Sequence, residues 1–591
     1  MGHGMRGWRL TVLGVTLTAA VPSAQYRTLD DHFAPPAVTS KAAWDARAGW
    51  LREHVLASAG LLPLPEKTPL GPEIFAEIVH DDYRVAKVYF ESLPGFFVTG
   101  NLYRPIGAGP FPAILSPHGH WAYGRLENTD INSVPGRAIN LARQGFVVFT
   151  YDAIGYNDSR QLPHTFDGRR ERLWGLSLGG LQLWNSIRSI DFLETLPEVR
   201  RDAIGATGES GGGTQTFLVA AVDRRIQVAA PVNMISLQMQ GGCLCENLPG
   251  LRLDATNVEI AGTIAPRPLL MVSATGDWTR ATLKEEYPAM RRIYGLFDAG
   301  TRVEAVQFDA PHNYNRDSRE AVYAWMARWL QHAPADMKRP ERSFTVDPLP
   351  DLLVFHQRPL PASAVTAAQL TENWIAAAKR QMVTADPAAL QSALRHALGF
   401  APASPPAAGG SIANRTVLLA GSDPELERRA TQRGLQVRHV TFTPYDSAAA
   451  AKVRHFETYN RTAAAQQVAD IVTAAQAAPG AILVATREYG LAGLLASAMT
   501  PLSRAILDIG DFDPSSDDDF LARLYIPGLR RAGDLATALS MAAGPVVFHD
   551  AGAAFTLPGA RVETRRLTAA EIADLLANRP AAVPARKGGG R

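Results

Sequence analysis

Two segments of the chain carry the pattern Gly-x-Ser-x-Gly, which can hold a serine hydroxyl on a sharp turn for nucleophilic attack. A serine is a weak nucleophile and needs both an exposed position and a neighbouring base. Ser210 in GESGG follows a strand-like run of small residues, Ala203–Thr207, and opens a predicted helix, Gly212–Val222. Ser177 in GLSLG follows a polar stretch with no strand pattern. We therefore predict Ser210 as the nucleophile.

The acid and the base that would activate this serine are expected downstream, the acid first and the histidine second. Asp277 comes just past the apolar run Pro268–Ser273, and His312 lies in a loop after another strand-like run. Side chains that follow strand ends face ligands in open parallel sheets. We predict that His312 takes the Ser210 proton and that Asp277 orients the imidazole. Asp309 is the weaker candidate acid, because it precedes the histidine by only three residues.

An oxyanion that develops in such a reaction needs backbone N–H donors beside the nucleophile. The first predicted donor is Gly211, directly after the serine. The second comes from the loop PHGHW, which follows the buried-strand pattern Phe111–Ser116. Gly119 in that loop permits a close backbone approach. The N–H of His120 or of Trp121 is therefore the predicted second donor.

The same loop suggests an alternative as a metal site. His118 and His120 are common ligand types, but no third ligand accompanies them at a suitable spacing, so we predict neither a metal nor a cofactor. Cys243 and Cys245 are the only cysteines, and their spacing is not that of a C-x-x-C redox motif. A strained two-cysteine ring and a pair of free thiols both remain open.

Composition places the chain among ordinary globular proteins. It has 591 residues, 46% of them hydrophobic and 20% charged, which suits two to four domains. Lys and Arg number 59 against 57 Asp and Glu, and no basic run stands out, so nucleic-acid binding is not expected. The oligomeric state stays open.

The first residues have the pattern of a secretory signal peptide. Arg6 and Arg9 form a basic start, Leu10–Val21 is apolar, and small residues follow up to Ala24. The apolar run is shorter than the roughly 20 residues that a membrane span needs, so an uncleaved anchor is the weaker alternative. We expect a periplasmic or secreted protein with no membrane span after cleavage.

Strand and helix patterns alternate along most of the chain, which is typical of a parallel sheet with crossover helices. The predicted fold class is α/β, with two domains. The predicted segments are a signal peptide (1–24), an N-terminal helical extension (25–84), a catalytic domain (85–345), a Pro-rich linker (346–365), a second α/β domain (366–580) and a disordered tail (581–591).

The second half of the chain resembles a copy of the first. Asp191 and Asp470 are 279 positions apart, and so are Ser210 and Tyr489. A near-constant offset over such a distance favours duplication, although chance similarity between two Ala-rich α/β segments is the alternative. Because a tyrosine stands in place of the serine and no histidine follows His549, we predict a second domain without catalysis.

Several segments together resemble the bacterial α/β-hydrolases of the acetyl xylan esterase-like group. They are the segment Ser92–Pro105, PHGHW, YDAIGYNDS, GESGGGTQT and APHNYN, and the resemblance covers about Trp44–Leu330. It implies an eight-stranded α/β-hydrolase fold with Ser210, Asp277 and His312 as the triad. It also implies ester hydrolysis, on acetylated or otherwise esterified plant polysaccharide such as acetylated xylan. A serine peptidase of the same fold and a non-catalytic carbohydrate-binding scaffold are the alternatives.

Overall fold

The computed structural model describes residues 26–401 and 415–577. The predicted signal peptide (1–24) and the predicted tail (581–591) lie outside the described residues. Within the described ranges, no helix has both the length and the hydropathy that crossing a bilayer requires.

The first domain is built on a nine-stranded sheet, one strand more than the resemblance implies, in the order β1-β2-β3-β5-β4-β6-β7-β8-β9. Strands β4 to β9 are mutually parallel, and β1, β2 and β3 extend the sheet in antiparallel fashion. The strands are β1 (Glu73–Val79), β2 (Tyr83–Leu93), β3 (Phe96–Pro105), β4 (Phe111–Pro117), β5 (Val147–Tyr151), β6 (Val199–Glu209), β7 (Ile226–Val232), β8 (Leu269–Gly276) and β9 (Val303–Pro311).

Helices cover both faces of this sheet, which is why its central strands are buried and almost wholly apolar. Helices α2 and α8 pack on one face, and α1 and α4 to α7 pack on the other. The helices are α1 (Lys41–Ser58), α2 (Val134–Arg143), α3 (Arg169–Leu173), α4 (Leu178–Thr195), α5 (Gly211–Val222), α6 (Asn257–Gly262), α7 (Glu286–Gly295) and α8 (Arg316–Leu330).

The Pro-rich stretch 346–365 packs along the first domain. Arg125, fully buried, pairs with Asp152 at 2.6 Å and with Asp158 at 2.7 Å. The backbone N–H of Val354 donates to the same Asp158 carboxylate, so the stretch is tied to a buried ion network. Three helices lie in and after it: α9 (Leu349–Leu352), α10 (Ala367–Thr384) and α11 (Pro387–Ala397).

The second domain contains a six-stranded parallel sheet in the order β11-β10-β12-β13-β14-β15. The strands are β10 (Thr416–Ala420), β11 (Gln436–His439), β12 (Ile482–Ala485), β13 (Arg504–Asp508), β14 (Val546–His549) and β15 (Arg561–Val562). The helices are α12 (Pro424–Gln432), α13 (Ser447–Ala450), α14 (Phe456–Tyr459), α15 (Ala463–Gln476), α16 (Gly490–Met499), α17 (Asp517–Arg523), α18 (Asp534–Met541) and α19 (Ala569–Ala577).

The second sheet repeats the strand order of the parallel part of the first, with β10 matching β4, β12 matching β6 and β14 matching β8. Tyr489 stands between β12 and α16, as Ser210 stands between β6 and α5. Its φ is −117°, whereas that of Ser210 is +56°, so Tyr489 does not adopt the sharp turn of Ser210. The predicted α/β fold class is confirmed: a mostly parallel sheet covered by helices is followed by a second, smaller α/β domain.

The two domains pack closely against each other. Leu173 of α3, fully buried, belongs to the hydrophobic core of the second domain. The backbone N–H of Gly528 donates to the Arg172 carbonyl at 2.7 Å, and that of Gly250 donates to the Glu457 carbonyl at 2.7 Å. Apolar insertion and backbone hydrogen bonds therefore hold the second domain against loops of the first.

Candidate active site

Ser210 lies on a strained turn between β6 and α5. Its φ of +56° falls in the left-handed region, which is uncommon for residues other than glycine and costs conformational energy. A Cβ added at Gly208 or at Gly212 would stand 2.4 or 2.5 Å from the Pro117 carbonyl oxygen, so both positions require glycine. The Ser210 N–H donates to the Val232 carbonyl at 3.1 Å, which anchors the turn to β7.

Ser177, the serine of the other Gly-x-Ser-x-Gly segment, has a structural role. It is the N-cap of α4, with an extended φ of −143°, and its hydroxyl accepts a hydrogen bond from the Gly180 N–H at 3.2 Å. N-cap serines satisfy an otherwise unpaired N–H of the first helical turn. The structural context therefore distinguishes Ser177 from Ser210, although both lie in a Gly-x-Ser-x-Gly pattern.

His312 and Asp277 are hydrogen-bonded to each other. The ring atom Nδ1 lies 2.8 Å from Asp277 Oδ2, and because an ionised carboxylate can only accept, Nδ1 is the donor. The other oxygen, Oδ1, accepts from the N–H and the hydroxyl of Thr279, at 2.7 and 2.5 Å. Asp309 instead bonds the hydroxyl of Thr275 at 2.5 Å. The pairing of β8 with β9 brings the acid and the histidine together.

The other ring nitrogen of His312, Nε2, has no hydrogen-bond partner among the described residues, although it is buried. Ser210, Asp277 and His312 follow the carboxyl ends of β6, β8 and β9, so they share one edge of the sheet. The structure therefore joins the acid and the histidine by a hydrogen bond, whereas among the described residues no hydrogen bond joins Ser210 to His312.

Two tryptophans flank the His312 ring. The ring centroid of Trp278 lies 4.4 Å away and that of Trp121 lies 6.1 Å away, the latter nearly parallel to the imidazole. The Trp121 Nε1–H donates to Glu209, the neighbour of Ser210, at 2.8 Å. Trp121 thus connects the histidine side of the site to the serine side.

The predicted oxyanion loop lies directly against the serine turn. A Cβ added at Gly119 would stand 3.1 Å from the Ser210 Cβ, and one added at Gly211 would stand 2.6 Å from Cε1 of His120. Among the described residues, the backbone N–H groups of His120 and Trp121 have no hydrogen-bond acceptor. Both predicted donors of this loop therefore remain available.

Glu209 holds this loop in place, a role that the sequence analysis missed. Its fully buried carboxylate accepts hydrogen bonds from the Gly119 N–H at 3.0 Å, Trp121 Nε1–H at 2.8 Å, Asn132 Nδ2–H at 3.1 Å and Arg137 Nη1–H at 2.9 Å. A buried charge needs such partners to be tolerated. The sequence indicates this role only through the residue type, because a carboxylate at the end of a buried strand requires a cationic partner.

His118 is buried, and two backbone groups hold its ring. Its Nδ1–H donates to the Gly119 carbonyl at 2.7 Å, and its Nε2 accepts from the Ala153 N–H at 2.9 Å. Burial lowers the pKa of His118 to about 3, so the ring is neutral. Both ring nitrogens are occupied by the backbone, which makes His118 a structural residue of the loop.

The two cysteines lie beside the oxyanion loop and are not joined by a disulfide bond. Cys245 is buried and its Sγ lies 3.0 Å from His120 Nε2, while Cys243 Sγ lies 3.1 Å from His164 Nε2. A hydrogen bond from Cys245, supported by His120 and His164, lowers the pKa of Cys243 to about 2. Burial raises the pKa of Cys245.

We expect Glu209→Gln to lower the free energy of unfolding by about 3–5 kcal/mol, because the neutral amide leaves the Arg137 guanidinium buried without a counter-charge. Denaturant unfolding of the full chain measures the change. Asp45→Asn is the control, since Asp45 pairs with Lys41 at the exposed surface, where a pair is worth less than about 1 kcal/mol. Equal losses in the two variants would contradict the account.

Known proteins and solved structures resemble about half of the chain. No known protein-family model matches the chain. YtaP, a candidate hydrolase of Bacillus subtilis (strain 168), is 26% identical over 293 residues, which cover 45% of this chain and 95% of YtaP. The solved structure of methylesterase BT1017 is 31% identical, with a TM-score of 0.50, and the match covers 58% of this chain and 78% of that one. A candidate acetyl xylan esterase from Bacteroides fragilis NCTC 9343 is 16% identical, with a TM-score of 0.39, over 50% of this chain and 87% of that one. The chain therefore belongs to the α/β-hydrolase esterase group, and it is a carboxylic ester hydrolase.

Proposed function

We propose that the protein hydrolyses esters by a serine mechanism in which Ser210 is the nucleophile, His312 the general base and Asp277 the orienting acid. The observation that carries this proposal is the hydrogen bond from His312 Nδ1–H to Asp277. That bond fixes the tautomer in which Nε2 bears a lone pair, and Nε2 has no other partner among the described residues. A basic nitrogen is thus available at the sheet edge that carries the strained serine.

The reaction proceeds in two halves. The Ser210 hydroxyl attacks the ester carbonyl while its proton passes to His312 Nε2, and the imidazolium is stabilised by Asp277. The tetrahedral oxyanion is held by the N–H of Gly211 and by that of His120 or Trp121. His312 then protonates the leaving alcohol, which produces an acyl-enzyme. Water, deprotonated by His312, releases the acid and restores the serine.

We propose an esterified plant polysaccharide, such as acetylated xylan, as the substrate. Trp121 and Trp278 support this class, because both are only partly buried beside His312 and offer flat apolar faces to a sugar ring. A polysaccharide methyl ester is the second candidate, favoured by the likeness to methylesterase BT1017. A panel of acetylated xylan, methyl-esterified uronates, short p-nitrophenyl esters and peptide amides separates these classes from a peptidase.

We further propose export and a supporting role for the second domain. The basic and apolar pattern of residues 1–24 supports export to the periplasm or beyond. Tyr489, in place of the serine and without the strained φ, supports a second domain that does not catalyse. Ester hydrolysis by an isolated second domain would contradict that role.

Ser210→Ala is expected to lower kcat on the best ester of the panel by about 10⁴- to 10⁶-fold, because the nucleophile is lost. Labelling by a fluorophosphonate probe should disappear with it. Ser177→Ala is the matched control: it removes a helix cap within the same sequence pattern and should retain both activity and labelling. Undiminished labelling of Ser210→Ala, or its loss in Ser177→Ala alone, would contradict the assignment.

Asp277→Asn is expected to reduce kcat by about 10⁴-fold, because an amide in place of the carboxylate favours the wrong tautomer of His312. Asp309→Asn, three residues before the histidine and bonded to Thr275, should change kcat little. Steady-state kinetics of the two variants on one ester makes the comparison. The reverse ranking would show that the acid has been assigned wrongly.

A further inference from the structure

Four side chains with metal-ligating atoms converge beside the oxyanion loop, outside the proposed triad. They are His120, His164, Cys243 and Cys245, and their donor atoms all lie within 4.8 Å of one another. They come from three separate loops, which follow β4, β5 and β7. The histidines are 44 positions apart, and the cysteines lie about 80 positions further on. The cluster therefore could not be predicted from the spacing of a sequence motif.

We propose that these four residues bind a zinc ion in a closed, tetrahedral site. Two thiolates and two imidazoles are a donor set typical of structural zinc, which prefers nitrogen and sulfur ligands. Ligand atoms around tetrahedral zinc stand about 3.3 to 3.8 Å apart, given bond lengths of about 2.0–2.3 Å. The separations between His120 and Cys245 and between His164 and Cys243 are 3.0 and 3.1 Å, and no pair is more than 4.8 Å apart, so small side-chain shifts suffice. This differs from the expectation of no metal, which considered only His118 and His120.

The surroundings of His164 support this assignment. Its Nδ1–H donates to the Ile154 carbonyl at 2.6 Å, which leaves the lone pair of Nε2 directed at Cys243. Metal-binding histidines commonly donate their other ring N–H to a carbonyl or a carboxylate in this way. On the other side of the cluster, Nδ1 of His120 stands 4.0 Å from the buried carboxylate of Glu246. The Cys243 N–H donates to the same carboxylate at 3.2 Å.

Coordination requires both sulfurs as thiolates. Zinc binding therefore releases to solvent whatever protons the two thiols still carry, forms two Zn–S and two Zn–N bonds, and changes no oxidation state. With four protein ligands no position remains for water or substrate, so the ion is structural rather than catalytic.

The zinc would fix the loop that supplies the second oxyanion donor. His120 contributes its side chain to the cluster, its backbone N–H is a proposed donor, and its ring borders Gly211. The loop that bears the cysteines is in turn held by the second domain, since the guanidinium of Arg454 donates to the Gly242 carbonyl at 2.5 Å. This effect on catalysis rests on the proposed function, whereas the metal site itself does not.

The test is the metal content of the full-length protein, purified without a polyhistidine tag. Elemental analysis should find about one zinc ion per chain, both in the wild type and in Ser210→Ala, so that the result does not depend on activity. Cys243→Ser and His164→Ala should lose at least nine-tenths of it. His455→Ala is the control, because His455 contacts the Gly242 carbonyl of the same loop without belonging to the cluster. Cobalt substitution should give the absorption of a tetrahedral, thiolate-ligated ion.

Removal of zinc from the wild type by a chelator tests the role of the metal without a substitution that could prevent folding. We expect kcat to fall about 10- to 100-fold with little change in KM, and to return when zinc is added. Unchanged kcat in the zinc-free enzyme would overturn the positioning role. A Cys243–Cys245 disulfide, free thiols that take up no added zinc, or copper or iron in the site would overturn the zinc assignment.

Discussion

The buried carboxylate of Glu209 is the constraint on which the active-site region depends. It precedes Ser210 at the end of β6 and is paired with Arg137 at 2.9 Å, with both side chains removed from solvent. Such a pair adds little net stability, but the loss of either partner is costly. The remaining lone pairs of Glu209 accept from Gly119 and Trp121, so satisfying this one charge also brings the oxyanion loop against the serine. The loop is thus placed by the electrostatic requirement of a residue that takes no part in the proposed chemistry.

The sequence allowed the main elements and the strand-end positions of Ser210, Asp277 and His312 to be predicted, because parallel strands are apolar runs whose carboxyl ends meet at one edge. The edge strand β1 was not predicted, since most of its residues are exposed and it lacks a buried pattern. The Glu209 hydrogen bonds and the cluster of histidines and cysteines could not be predicted either. The residues involved lie in loops that are far apart in the sequence. Loops have no hydrophobic periodicity from which such contacts could be predicted.

The second domain shares the order of parallel strands with the first domain but not its strained turn. Strands β10 to β15 follow the order of the parallel strands of the first sheet, but Tyr489, unlike Ser210, lies outside the left-handed region. The two domains also pack against each other. Leu173 of the first domain lies in the core of the second, and the second domain contacts the loop that carries both cysteines. Strand order depends on burial of a whole sheet, whereas a strained turn persists only where function requires it.

A crystal structure of the enzyme inhibited by a fluorophosphonate tests the central claim most directly. The account predicts a covalent bond from phosphorus to the Ser210 oxygen and a phosphoryl oxygen about 2.7–3.1 Å from the N–H groups of Gly211 and of His120 or Trp121. It also predicts His312 Nε2 within hydrogen-bond reach of the Ser210 oxygen. An adduct on another residue, or one on Ser210 whose phosphoryl oxygen points to solvent with His312 out of reach, would contradict it.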